Sequence, residues 1–247
     1  MEHISEMLEE MSDKDTAKRS GKHVKCLRGI RGVPMGEVAR IADAAFAEDR
    51  PSLPTDESEL GALFGAAWED GLVAIGLLAT CCVDRPEDAL EIGLDWAERT
   101  DDVQTADALG WLVLGPALAM LPQNRTKEVI LRLATHHRPA VRRCAVALGM
   151  SWTPTVLEGP SAAPLRRKLK QKKIAMSAEA DSKRLHGLCL RMVKDQDPSV
   201  IKAMRRLVRA WADADPQAVV AWGETMGGGL SKLLRTEVRR AQKRASA

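Results

Sequence analysis

The chain has 247 residues, of which 45% are hydrophobic and 29% charged, enough to bury a core without disulfide or metal staples. Six Trp, two Phe and no Tyr leave it 3% aromatic, while the strong helix formers Ala, Leu, Glu, Lys and Arg dominate, which argues against a β-sandwich or barrel. The net charge of +3 hides a division: residues 1–121 carry 11 Lys+Arg against 24 Asp+Glu, and residues 122–247 carry 26 against 10.

Helical periodicity recurs from end to end. In the acidic half it predicts helices at about 2–12, 34–48, 57–68, 71–83, 86–99 and 102–121. In the basic half it predicts them at about 125–136, 139–152, 163–174, 178–194, 198–213, 215–226 and 231–245. Pro34, Pro86, Pro139, Pro198 and Pro216 stand in first turns, where a missing N–H costs nothing. Asp197, Asp215 and Ser231 are N-cap candidates, the last following the helix-stopping Gly227, Gly228 and Gly229. Residues 153–177 interrupt the pattern: Thr153, Pro154, Gly159 and Pro160 lead into a run from Leu165 to Lys173 in which six of nine residues are cationic. No strand-like alternation competes, so the fold class is all-α.

No apolar stretch approaches the ~20 residues of a membrane span. The acidic, amphipathic N-terminus is neither a secretory signal nor a transit peptide. Cys26, Cys81, Cys82, Cys144 and Cys189 are odd in number and form no C-x-x-C pair, as expected of reduced thiols in a cytoplasmic protein. So polarised a chain either meets a partner of one sign or folds its halves against each other. A basic half without membrane anchors points to nucleic acid, against the plainer reading of a bundle with solvated faces.

The stretch from Pro139 to Leu148 matches that from Pro198 to Leu207 at an offset of 59 residues, with Pro, Val, a basic residue, a small residue and Leu in register. Both are similar to the second helix of HEAT-type repeats. Each helical hairpin leaves an apolar face bare, so stacking buries the core. The expected architecture is one domain over 1–247, a right-handed α-α superhelix of degenerate HEAT-like repeats, monomeric, with a concave binding face.

Three stretches together resemble the alkylpurine DNA glycosylases built from HEAT-like repeats, the AlkD-type DNA alkylation repair family. Gly32 to Ala42 looks like that family's opening helix, G-V-x-x-P-E-L-R-x-I-A, with Gly36 where Pro is usual. Arg138 to Trp152 matches its arginine-rich helix, R-x-x-V-R-R-x-A. Asp197 to Trp211, Asp215 to Val220 and Leu230 to Ala241 follow its three closing helices in order. The resemblance implies a C-shaped solenoid holding duplex DNA by its backbone, with excision of cationic alkylated purines. In that chemistry a cleft carboxylate stabilises an oxocarbenium-like sugar, and two Trp rings line the deoxyribose. A developing cation needs a fixed anion in a water-poor cleft.

At those positions the sequence departs from the family. Against the family's W-D-x-x-D motif, Asp107 matches the first Asp, Ala106 replaces the Trp and Gly110 replaces the catalytic Asp. Arg206 falls where the second cleft Trp is expected. Asp107 is therefore the catalytic candidate, with Ala106, Gly110 and Trp111 expected on the cleft wall. Asp107 and Trp111 are i,i+4 neighbours on one helix face. The phosphate-binding candidates are Arg142 and Arg143, then Arg166, Arg167 and Lys168 in the cationic run, Arg205, Arg206 and Arg209, and Arg235 and Arg239. Arginine pairs bidentately with phosphate, and several contacts together give salt-sensitive, sequence-independent binding.

Other features have plainer explanations. His136 and His137 are adjacent and cannot both face one ion from a regular helix, so no metal is expected, and no cofactor. The glycine run before Lys232 lacks phosphate-loop spacing. Cys81 and Cys82 sit in an apolar helix, and Trp68, Trp96, Trp152 and Trp222 read as core, leaving Trp111 at the cleft. Three functions stay open: a duplex-DNA-binding relative with degenerate glycosylase chemistry that recognises damaged or distorted DNA, an active alkylpurine glycosylase, and a helical scaffold for an acidic protein. DNA binding would place the protein with the bacterial nucleoid.

Overall fold

A computed structural model describes residues 2–24, 26–48, 57–154, 160–172 and 179–246. Among them there is no β-strand, and one isolated bridge joins Gly29 to Ala67. The acidic half contains α1 (Glu2–Glu10), α2 (Lys14–Ser20), α3 (Met35–Glu48), α4 (Glu57–Gly65), α5 (Trp68–Asp84), α6 (Pro86–Arg99), α7 (Val103–Ala108) and α8 (Gly115–Ala119). The basic half contains α9 (Gln123–Ala134), α10 (Pro139–Leu148), α11 (Ala163–Gln171), α12 (Ser182–Met192), α13 (Pro198–Ala214), α14 (Pro216–Met226) and α15 (Lys232–Ala245).

The expected caps form. Asp197 accepts from the amides of Ser199 and Val200, Asp215 from Ala218 and Ser231 from Leu234. The sequence gives no warning of α2: its segment KDTAKRS has no apolar face and no buried residue, and it is held by its Asp13 cap instead. The predicted break between residues 68 and 71 falls earlier. Ala67 is extended, and Trp68 opens α5 with its amide donating to Gly29 O at 2.8 Å.

The helix predicted over 102–121 is not uniform. Between α7 and α8, Leu109–Leu114 widens into a π turn, with the Gly115 amide donating back to Gly110 O. Pro116 supplies the reason: it has no N–H to give, and in a regular helix its ring would press on the preceding turn. The Cys82 thiol donates to Val113 O at 3.4 Å in this loosened ladder. Gly110 lets the turn approach α10 closely, because a Cβ there would meet Cys144 O at 2.5 Å and the Ala147 Cβ at 2.6 Å.

The helices stack in two layers. α3, α5, the π turn, α10, α13 and α15 pack in series as an inner row, backed by α6, α9, α12 and α14. A continuous apolar core runs from Ile4 to Ala241, with Trp96, Trp211 and Trp222 fully enclosed. This is the stacked all-α architecture expected. Of the interruption at 153–177, residues 155–159 and 173–177, including Lys173 of the cationic run, lie outside the described residues. The remainder forms a short 3-10 turn, Pro160–Ala162, and α11, which packs on α3 and α5 of the acidic half.

Candidate nucleic-acid cleft

One face of α7 and the π turn carries Gln104, Asp107, Ala108, Trp111 and Leu112 at helical spacing, and all five line a cavity of about 310 Å³. Met35 of α3, Trp68 and Leu72 of α5, Ser161 and Arg206 of α13 complete its wall. Asp107, Trp111 and Arg206 are thus brought together. Ala106 and Gly110 are not: Ala106 is fully buried, and Gly110 is pressed against α10. Trp68, expected in the core, is buried but also faces this cavity, so two indoles line it. Trp68 is not marked by the sequence because it lies far along the chain from Asp107 and on a helix buried on every side from Trp68 to Cys82.

Asp107 is not a lone anion. Arg143 grips it through both carboxylate oxygens, Nε to Oδ1 at 2.8 Å and Nη2 to Oδ2 at 2.7 Å, while its Nη1 donates to Ser199 O. From α13, Arg206 Nη1 lies 3.6 Å from Asp107 Oδ2, and its guanidinium sits 5.5 Å from the centre of the Trp111 ring. Four buried polar atoms of the cavity wall lack a hydrogen-bond partner: Trp68 Nε1, Trp111 Nε1, Ser161 Oγ and Gln104 Oε1. Unpartnered buried polar atoms are uncommon in protein interiors, and here three can donate, the two indole N–H groups and the Ser161 hydroxyl, while Gln104 Oε1 accepts, so the wall of this cavity can meet acceptor oxygens.

The other basic candidates divide by whether their charge is already used. Arg142 is held by Asp195 at 2.6 Å and by the carbonyls of His136 and His137. Lys168 is buried and reaches Asp84 at 2.6 Å, and Arg167 pairs with Asp43. The Asp84 carboxyl lies below its usual range, chiefly through its hydrogen bond with Lys168. Arg166, on the same helix, is exposed.

Arg205 and Arg209 of α13 and Arg240 of α15 converge on Glu237, whose side chain is 1% exposed. Burial alone would raise that carboxyl, but the bonds from Arg209 and Arg205 outweigh it and hold it down at about 2. Three guanidiniums around one carboxylate leave the cluster cationic. On the opposite face of α15, Lys232, Arg235, Arg239 and Lys243 form an exposed stripe with no carboxylate partner among the described residues.

One acidic group with metal-ligand spacing, Cys26 with Asp101 and Asp102, is accounted for by protein contacts. Asp101 accepts from the Leu27 amide, and Asp102 caps α7 and pairs with Arg28.

Residues 4–243 match the family model described as DNA alkylation repair enzyme. The chain belongs to the DNA alkylation repair enzyme family. A solved structure described as a predicted DNA alkylation repair enzyme from Enterococcus faecalis superposes with a TM-score of 0.68 at 15% identity. That match covers 92% of this chain and 95% of the other, and it carries the fold. Among curated protein sequences none matches. No helix among the described residues is long and apolar enough to cross a membrane.

Proposed function

We propose that this family member binds duplex DNA through its phosphates, recognises damaged or distorted sites by backbone shape, and has degenerate glycosylase chemistry. The observation that carries this reading is the state of Asp107. A carboxylate stabilises a developing oxocarbenium only if its charge is uncompensated, and Arg143 and Arg206 already answer it. Position 110 faces α10 with no room for a carboxylate. What the cavity offers instead is a guanidinium, two indole N–H groups and a hydroxyl, all able to donate to a phosphate or sugar oxygen. Arg206, Arg235 and Arg239 are the exposed cations best placed to hold the backbone.

A duplex carrying an N-methylated purine tests this directly. Base release at the rate of a buffer control, with salt-sensitive binding and preference for an abasic analogue, is the expected result. Release well above that control would overturn it. One observation favours an active glycosylase as the second reading: Asp107 does share its cavity with two tryptophans. Under that reading Asp107→Asn abolishes base release.

A further inference from the structure

The outer layer contains a second and larger cavity, about 420 Å³, between α9 and α12, and it shares no residue with the cleft. That volume is within the range of small-molecule sites. Its apolar floor is Ile130 and Leu188, and Leu190 stands at its mouth 38% exposed. Lys127, Lys183, Arg184 and Arg191 surround it, and among the described residues no carboxylate lines it. Arg184 is partly answered by Asp181 at 3.2 Å and lies over the Trp152 ring. The other three have no carboxylate partner among the described residues.

Two further details point to a ligand. Thr126 is 4% exposed, lines the cavity, and its buried hydroxyl has no hydrogen-bond partner. Gly187 stands inside α12, where glycine weakens a helix, yet a Cβ there would meet nothing within 4 Å. Packing does not call for glycine; its effect is to keep the wall of the groove low.

We propose that the α9–α12 groove binds an anionic amphiphile, an apolar chain or ring bearing a carboxylate or phosphate. The apolar body covers Ile130, Leu188 and Leu190, and the anion meets the cationic rim. Thr126 bonds a polar atom of the ligand. Binding relieves the mutual repulsion of the rim, so the ligand also raises the melting temperature.

Titration calorimetry with sodium decanoate and decyl phosphate is the test, with decanol as the uncharged control. Saturable one-to-one binding, at least tenfold weaker for decanol, is expected. Gly187→Leu should fill the groove and weaken binding at least tenfold while leaving duplex-DNA affinity unchanged. Lys183→Glu combined with Arg191→Glu should lose the preference for the anion. No saturable heat, equal affinity for decanol, or undiminished binding by the Gly187→Leu variant would overturn the proposal. So would tighter binding of an acidic Glu/Leu helical peptide than of decanoate, which would assign the groove to a protein partner. Flotation with phosphatidylglycerol vesicles distinguishes the two sources of the same chemistry: protein that binds decanoate but does not float takes a free amphiphile, and protein that floats takes a bilayer lipid.

Discussion

The buried carboxylates of residues 1–121 are answered by arginines of the same half, whereas residues 122–247 leave several arginines at the surface. In the acidic half Glu69 and Asp70 are fully buried. Glu69 accepts from the amides of Arg31, Gly32 and Val33, the turn being made possible by Gly32 at φ +83°, and Asp70 holds the Arg31 side chain. In the basic half the matching device is inverted, with one buried Glu237 gathering three arginines. The halves then meet through ion pairs: Arg125 with Glu87 and Glu91, Arg132 with Glu98, Arg143 with Asp107, Arg167 with Asp43, and Lys168 and Lys172 with Asp84. The charge division of the sequence therefore serves two ends. Part of it joins the stack to itself, and the rest, as on α15, faces outward.

The largest effect should come from removing a buried link between the halves. Arg143→Ala leaves Asp107 and Ser199 O without their donor and should cost about 3 kcal/mol in urea denaturation. A loss no larger than that of an exposed pair would show that this contact does not join the halves. Next is Glu237→Gln, which leaves three guanidiniums facing one another and should cost about 2 kcal/mol at neutral pH, the scale of hydrogen bonds to a charged group. The pH dependence has a definite sign. The folded carboxyl titrates at about 2 against an ordinary 4.5, so its contribution is complete above the higher value and is lost as pH falls towards the lower. Wild-type stability should drop through that window and the variant's should be flatter there.

The fold was legible because its signals are local. First-turn prolines, Asp caps and a 3.6-residue apolar period mark α6, α13 and α14 almost to the residue, and α10 at its start, whereas the helix expected to reach 152 tightens into a 3-10 turn after Leu148. Apart from α2, what escaped depends on contacts across the chain. The π turn combines Pro116 with the close approach to α10 that Gly110 allows, and no period count contains either. The cleft was legible in part: Asp107, Trp111 and Arg206 were found by resemblance, but Trp68 was not. That Arg142, Arg143 and Lys168 are engaged by carboxylates of distant segments could not be read from their spacing.

Two smaller effects sharpen the contrast between engaged and outward-facing cations. Replacing Arg235 and Arg239 together with Ala should lower the slope of log affinity against log salt for duplex DNA by about 2, roughly one unit per lost phosphate contact. An Arg167→Ala change should leave that slope unaltered. Arg132→Ala removes an exposed pair across the halves and should change stability by about 0.5 kcal/mol or less. A larger loss would mean that surface pairing contributes more to the stack than its exposure implies.

The placement of Arg206 over Trp111 has an optical consequence. With no tyrosine in the chain, ultraviolet emission comes from six indoles alone, and Trp96, Trp211 and Trp222 are sealed in the core. Two indoles lie under a guanidinium, Trp152 under Arg184 and Trp111 under Arg206, and of these two Trp111 is the one in the cleft, beneath a half-exposed side chain. A phosphate that draws Arg206 off the ring would change the emission of that one chromophore, so the cleft carries its own reporter, readable without any added label.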